Sequence, residues 1–466
     1  MGFFSTKRYE STVSDFSGLG IGLSGLQAHR RALDVAGHNL ANVNTAGYTR
    51  QRVNLSAIDG SSSSRMYATW PGGGQGVRAS GIERLNDRFL DTRSMQEHGA
   101  QAGLARSQSA LSRIELSFDE PSDNGISKQI GDFLAAWDDL ANHPEDRAAR
   151  VAVVNSGKAV AAGIRVADAS LRSLRASHVS EVGAVVNDVN QIATQIATLN
   201  GQIQTAKATG DDASDLADHR DLLLHTLAEK LGATATSNAD GITDVFVGSV
   251  PLVQGTNAQR LAVDVGSPPE QTVSVRWPDL GIAATPGGDL GAIAKVANEI
   301  IPRYRTQLAD VANKLQTEVN NAHQSGFDLR GNAGTAFFVT GPDGIDVAST
   351  LSTDPSLLAA ANSSTTPRDG SIAAKIAGLT SGQSTYRDFV VGLGSEVGLA
   401  NRQLDTQSAI TDQVDKARNA ASGVNIDEEM TNMVAIQHAY AAAARFLTAV
   451  DQSLDTLING TGRVGR

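Results

Sequence analysis

Gly20, Gly22 and Gly25 spell G-x-G-x-x-G, a spacing that lets backbone N–H groups approach a pyrophosphate at a helix N-terminus. That chemistry also needs an apolar strand before the glycines and an acid about twenty residues on for the ribose. Polar residues occupy the strand position and no acid lies near residue 45, so these small residues are expected to permit close helix contact instead. His219 and His225, six apart, fall on different helix faces and make no metal pair. Asp211 and Asp212 read as an acidic helix start, and Asp328 to Gly334 as a turn that lacks the ligand series and closing Glu of a calcium loop. Asp427, Glu428 and Glu429 form a carboxylate trio, but acids at a helix N-terminus stabilise its dipole. No H-E-x-x-H, G-x-S-x-G or Walker A pattern occurs. The reading is therefore of a chain with no catalytic residue, cofactor site or metal site, and not an enzyme.

The elements around these residues are more informative. Leu19, Leu26, Leu33 and Leu40 stand seven apart, with Gly22, His29, Ala36 and Val43 completing the rhythm. Near the other end, Met433, Ile436, Tyr440, Ala443, Leu447, Val450, Leu454 and Leu457 keep strict 3,4 spacing, the mark of a coiled-coil strand. Arg30, Arg31, Arg50 and Arg52 outweigh Asp34 in the first segment, whereas Asp427, Glu428, Glu429, Asp451 and Asp455 outweigh Arg445 in the second. A helix of about 25 residues is marginal alone in water, so each stripe should order only against the other or a neighbour. Asn425 and Glu428 have capping-box spacing at the start of the last helix.

Composition bounds the rest. At 466 residues the chain is long enough for two or three cores. Aromatics make up 5%, which favours close helix packing over a large aromatic core. A net charge of -11 argues against nucleic acid. Cysteine is absent, which removes disulfides and thiolate sites together. The first 17 residues lack the apolar stretch of a secretory signal, and no 18 apolar residues run together, so no membrane partner is expected and any export uses another route.

The fold class read from this pattern is mainly α with a β insertion, in an elongated multi-domain rod. Residues 1–17 are expected to be a disordered tail. Residues 18–58 with 425–461 form a terminal coiled-coil domain, and 59–232 with 289–424 a mainly helical rod. Residues 233–288 form a small β domain, and 462–466 a second tail. Ile126, Ile130, Phe133, Trp137 and Leu140 make one apolar stripe ending near Pro144, and Val182 to Ala206 repeats in heptads. Strands are expected at 244–247, 259–265 and 272–277.

Residues Ser24 to Gln51 resemble the N-terminal signature of axial proteins of the bacterial flagellum. The motif residues are Asn39, Asn42, Asn44, Gly47, Tyr48, Thr49, Arg50 and Gln51, and the GYTRQ ending is similar to that of the hook-associated protein 1 family. Trp137 to Arg150, Asp215 to Gly232, Leu252 to Gly255, Val319 to Phe338 and the final helix resemble that family in the same order. The resemblance implies a structural protein at the hook–filament junction, outside the cell, exported unfolded through the flagellar type III channel. Its implied partners are further copies in a ring or helical stack, hook protein below, the second junction protein and filament above, the cap, and a cytoplasmic export chaperone on the C-terminal helix. The alternative is another axial component, hook or distal rod protein. The assembly interface is expected on Leu19, Leu26, Leu33, Leu40, Met433, Ile436, Tyr440, Leu447, Val450, Leu454 and Leu457.

Overall fold

The first and last helices, Asp15–Ala41 and Ile426–Asp455, lie side by side. The computed structural model describes residues 15–58, 74–238, 240–267 and 272–460. Helix α1 (Asp15–Ala41) is followed by a hairpin of β1 (Gln51–Ala57) and β2 (Val77–Arg84), paired antiparallel from Gln51↔Arg84 to Ala57↔Val77 with a bulge after Asn54. The tail expected over 1–17 lies outside the described residues as far as 14, and Asp15 to Ser17 already belong to α1.

Four helices follow: α2 (Arg88–Leu116), α3 (Ile126–Asn142), α4 (Arg147–Thr209) and α5 (Ser214–Leu231). All five residues of the α3 stripe are buried, because the 3,4 spacing puts them on one face against α4. Asp146 caps α4, its carboxylate accepting from Ala148 N, and Gly210 ends it in the left-handed conformation. At 63 residues α4 is about 95 Å long, and the expected Val182 to Ala206 heptads are its second half.

The strands β3 (Thr234–Ser237), β4 (Thr243–Val247), β5 (Val250–Gln254) and β6 (Asn257–Ala258) form one antiparallel sheet. A second contains β7 (Ala262–Val265), β8 (Val273–Trp277) and β9 (Ile282–Ala283). Val245, Val247, Leu252, Val273, Val275 and Trp277 share one core with Val182, Val189 and Ile196 of α4 and Leu227 of α5. The β insertion is therefore sealed onto the rod instead of closing a core of its own. Residues 259–261, expected as strand, are irregular; Asn190 of α4 holds Leu261 there through both its N–H and its carbonyl.

Helix returns as α6 (Gly288–Lys295), which passes through a π turn into α7 (Ile301–Gln324). A hairpin of β10 (Phe338–Gly341) and β11 (Gly344–Val347) then precedes α8 (Ser349–Thr353), α9 (Ser371–Ala377), α10 (Ser381–Ser422) and α11 (Ile426–Asp455). A second core joins α3, the first half of α4, α7, α9 and the first half of α10 around Phe133, Trp137, Phe337 and Tyr386. Among the described residues no helix is long and apolar enough to cross a membrane.

The Asp328 turn is as expected from its residues. Asp328 Oδ1 accepts from Arg330 N and Asn332 N, and Oδ2 from Asn332 Nδ2. Beside it His323 is fully buried, 2.6 Å from Thr335 O through Nδ1 and accepting from Ala359 N at Nε2, 2.9 Å. Both contacts suit the neutral ring with its proton on Nδ1. Burial, against the Thr335 hydrogen bond and aided by nearby Arg150, pushes its pKa down to about 4. The unfolded ring binds a proton from about pH 6.5 downward, so stability from neutral His323 is complete above that pH and is lost as pH falls toward 4. The loss should be about 3 kcal/mol. Thermal unfolding of the chain and of His323→Gln between pH 7 and pH 4.5 should show a steeper acid loss in the parent; parallel curves would refute this.

Candidate functional site

Helix α11 packs antiparallel on α1, with Val450 at Gly18, Ala443 at Gly25 and Glu429 at Asn39. Met433, Ile436, Tyr440, Leu447, Val450 and Leu454 are half-buried in this seam, while most positions between them are exposed. The side chain of Leu457 lies outside the described residues. On α1 the expected leucines Leu19, Leu26, Leu33 and Leu40 are half-buried, whereas Gly22, Ala28, Val35, Ala36 and Asn39 are buried. The difference has a physical cause: α1 contacts β1 and β2 as well as α11, so its covered face is wider than one heptad stripe. The G-x-G-x-x-G residues lie inside this helix. A Cβ on Gly22 would stand 2.8 and 2.9 Å from Leu447 Cγ and Cδ2, so glycine here sets how closely the helices approach.

Beyond α1 the motif residues build a clasp. Asn39, 1% exposed, accepts from Gln51 N at 2.9 Å and from the Tyr48 hydroxyl at 2.8 Å. Its Nδ2 donates to Gln51 O at 2.9 Å and Glu429 Oε2 at 3.2 Å. Arg50 then ties the turn to the far end of the sequence, with Nε 2.6 Å from Glu429 Oε1 and Nη1 2.9 Å from Glu428 Oε2. Its backbone N donates to Ser422 O, just before α11. Asn425 caps α11 by accepting from Asp427 N and Glu428 N. Two members of the acidic trio thus serve the clasp as well as the helix start. Asn42 braces the turn through His38 O and Thr45 Oγ1, and Asn44 is exposed.

The other side of the same turn grips α5. Gly47, at φ +77°, lets the backbone pass Leu222, and Thr49 N donates to Asp218 Oδ2 at 3.2 Å. Gln51 Nε2 reaches Asp215, 3.4 Å away. Arg84, opposite Gln51 in the hairpin, lies 2.6 Å from both Asp218 and Asp221 and donates to Thr49 Oγ1. Burial disfavours charge on Arg84, but Asp221 and Asp218 together outweigh it and hold its pKa above the ordinary value. Burial, followed by Asp218, Asp215 and Glu429, raises the Tyr48 hydroxyl, so it stays protonated as a donor. Arg84, Asp218 and Asp221 were not singled out from the sequence. The spacing of Asp215, Asp218 and Asp221 along one side of α5 is the signal that points to them.

The expected charge matching between the two ends is local. Arg50 alone of the basic set pairs with α11 among the described residues; Arg52 bridges to Glu83 in the hairpin. His219 is exposed and His225 half-buried, and among the described residues no His, Asp or Glu cluster could hold a metal.

The clasp joins segments 390 residues apart in sequence, and similarity to known proteins extends over both. The family described as flagellar hook-associated protein FlgK helical domain matches residues 111–338. Residues 19–49 match the flagella basal body rod protein family, and 418–460 the C-terminal family of the rod FlgEFG proteins. Flagellar hook-associated protein 1 of Bacillus subtilis is 29% identical over 97% of this chain and 100% of its own length. Over nearly its whole length the chain is similar to flagellar hook-associated protein 1. The Escherichia coli hook-associated protein 1 is 26% identical over 94% of this chain and 98% of that protein. A solved hook junction protein FlgK from Burkholderia pseudomallei covers 54% of the chain and 47% of that structure, at 23% identity and TM-score 0.48. With flagellar matches at both ends and in the middle, the chain is a structural axial protein of the bacterial flagellum.

Proposed function

We propose that the chain joins hook to filament as a polymerising subunit whose terminal helices make the inner layer. The observation that carries this is the α1–α11 pair itself: the first and last helices meet in one seam, tied together by Arg50, Glu429 and Asn39, and are locked to the rod by Thr49 and Arg84 on α5. Residues 18–58 with 425–461 act as the assembly domain, with the rod and β region outside it. The leucine and Met433 to Leu454 positions remain only half-covered, which leaves apolar surface for neighbouring subunits. Such an interface is heterologous and builds a ring or helical stack between hook protein below and the second junction protein and filament above. Passage through the flagellar type III channel, with a chaperone on α11, belongs to the same reading.

Deleting the gene should leave hooks without filaments and release flagellin into the medium. The full chain should restore filaments, and a chain lacking residues 425–466 should not. Normal filaments in the deletion strain would overturn the junction role. Loss of the hooks themselves would favour the second reading, a hook or rod component, which the rod-family matches at both ends support.

A further inference from the structure

We infer that neighbouring copies of this chain meet side by side through a ridge bearing Leu116 and Val166 on one copy and the groove between α4 and α7 on the next. The inference rests on the junction reading and adds a lateral contact to it. Leu116 is 78% exposed at the end of α2, and Val166 of α4 is 68% exposed. They belong to one surface, because Ser117 and Ser170, beside them on the two helices, are joined Oγ to Oγ at 3.0 Å. The exposed carboxylates Asp119 and Asp123 lie in the turn that follows Leu116.

The groove lies at the same level on the other flank of α4. It encloses about 650 Å³, with the buried side chains of Ile164, Leu308 and Ala312 as its apolar floor and with Arg165, Arg175 and Arg305 outnumbering Asp168 and Asp343 along it. Arg305 is anchored to Asp168 through Nε and Nη2, and Arg165 to Asp346 and Ile345 O. With 3.6 residues per turn, Ile164, Asp168 and Arg175 point well away from Gly163, Val166 and Ser170, and core residues Ala167 and Leu171 lie between the two sets. An apolar ridge followed by acids and a groove with an apolar floor and an excess of arginine over aspartate are complementary. Their placement on opposite flanks of one helix is what a head-to-tail contact needs to close a ring.

The chain has no cysteine, so introduced thiols report alone. Leu116→Cys would be combined in turn with Thr306→Cys, Ala309→Cys or Asn313→Cys, which follow one stripe of α7 along the groove. Flagella isolated from cells making these variants would be treated with copper–phenanthroline, which accepts the two electrons as two thiols lose their protons and form a disulfide. At least one pair should give a ladder of linked dimers, trimers and larger species, and Leu116→Cys alone should give none. Filament-bearing cells whose flagella give no ladder with any pair would overturn the contact, as would dimers from Leu116→Cys alone, which would mean that like faces meet. Where Leu116→Cys blocks assembly, Val166→Cys takes its place with the same expectations. Failure of the junction reading is seen separately, as normal filaments in the deletion strain.

Discussion

Glu429→Ala should release the terminal helix pair while leaving the rod folded. The Glu429 side chain is 5% exposed and its Arg50 partner 19%, so the substitution strands a largely buried guanidinium and also removes an acceptor from Asn39 Nδ2. Breaking a buried pair from one side costs about 3–5 kcal/mol when the remaining charge is left uncompensated, and the exposed Glu428, which still reaches Arg50, keeps the cost at the lower end of that range. That cost falls on the clasp, because the rod cores around Trp137 and Trp277 contain none of these residues. Amide exchange should therefore speed by two to three orders of magnitude in α1 and α11 and stay slow in α3 and the first half of α4, as expected for a locally opening unit at about 1.4 kcal/mol per tenfold. Asp451→Ala, at an exposed acid of the same helix, should change stability by less than about 0.5 kcal/mol. Equal protection of α11 in Glu429→Ala and the parent chain would show that the clasp does not hold the pair.

The same contrast explains what the sequence could and could not reveal. Apolar periodicity made α3, the second half of α4 and the α11 seam legible, because each buries one stripe against one surface. The second half of α10 offered little such signal. It meets α2 through polar contacts: Gln108 to Asn401, Gln101 to Ser408, Gln407 to Glu97, His98 and Ser94 to Asp415, and Arg418 to Asp91. Hydrogen-bonded helix pairing leaves no hydrophobic rhythm to read. The β10–β11 hairpin was missed because its strands are short and half-exposed, with Phe338, Ile345 and Val347 buried by tertiary context. The clasp was half legible. Resemblance marked Asn39 to Gln51 and the α5 segment as separate motifs, but only folding shows that Thr49, Gln51 and Arg84 reach Asp215, Asp218 and Asp221. The acidic trio was read through the helix dipole, a local effect, whereas Glu429 is buried by a partner 379 residues away.

Gly22→Leu tests whether seam closeness, more than helix content, controls assembly. Leucine improves intrinsic helix propensity over glycine by somewhat under about 1 kcal/mol, so a mutation acting through propensity alone would strengthen α1. Its Cβ would instead stand 2.8 Å from Leu447 Cγ and 3.1 Å from Phe446 Cδ1, with the rest of the side chain still to place. Overpacking of this kind costs about 1–3 kcal/mol and displaces the helices that carry the proposed subunit contacts. Filament formation should fall to the level of the deletion strain. Adding Leu447→Ala opens the space that the new side chain needs, so the double variant should assemble better than Gly22→Leu alone, with a coupling of about 0.5–3 kcal/mol in the stability of the pair. Gly20→Leu provides the control, because nothing lies within 4 Å of its added Cβ and the same propensity gain is available without the clash. A double variant no better than Gly22→Leu would place the defect outside the α1–α11 seam, and the inner-layer role would then have to rest on other residues.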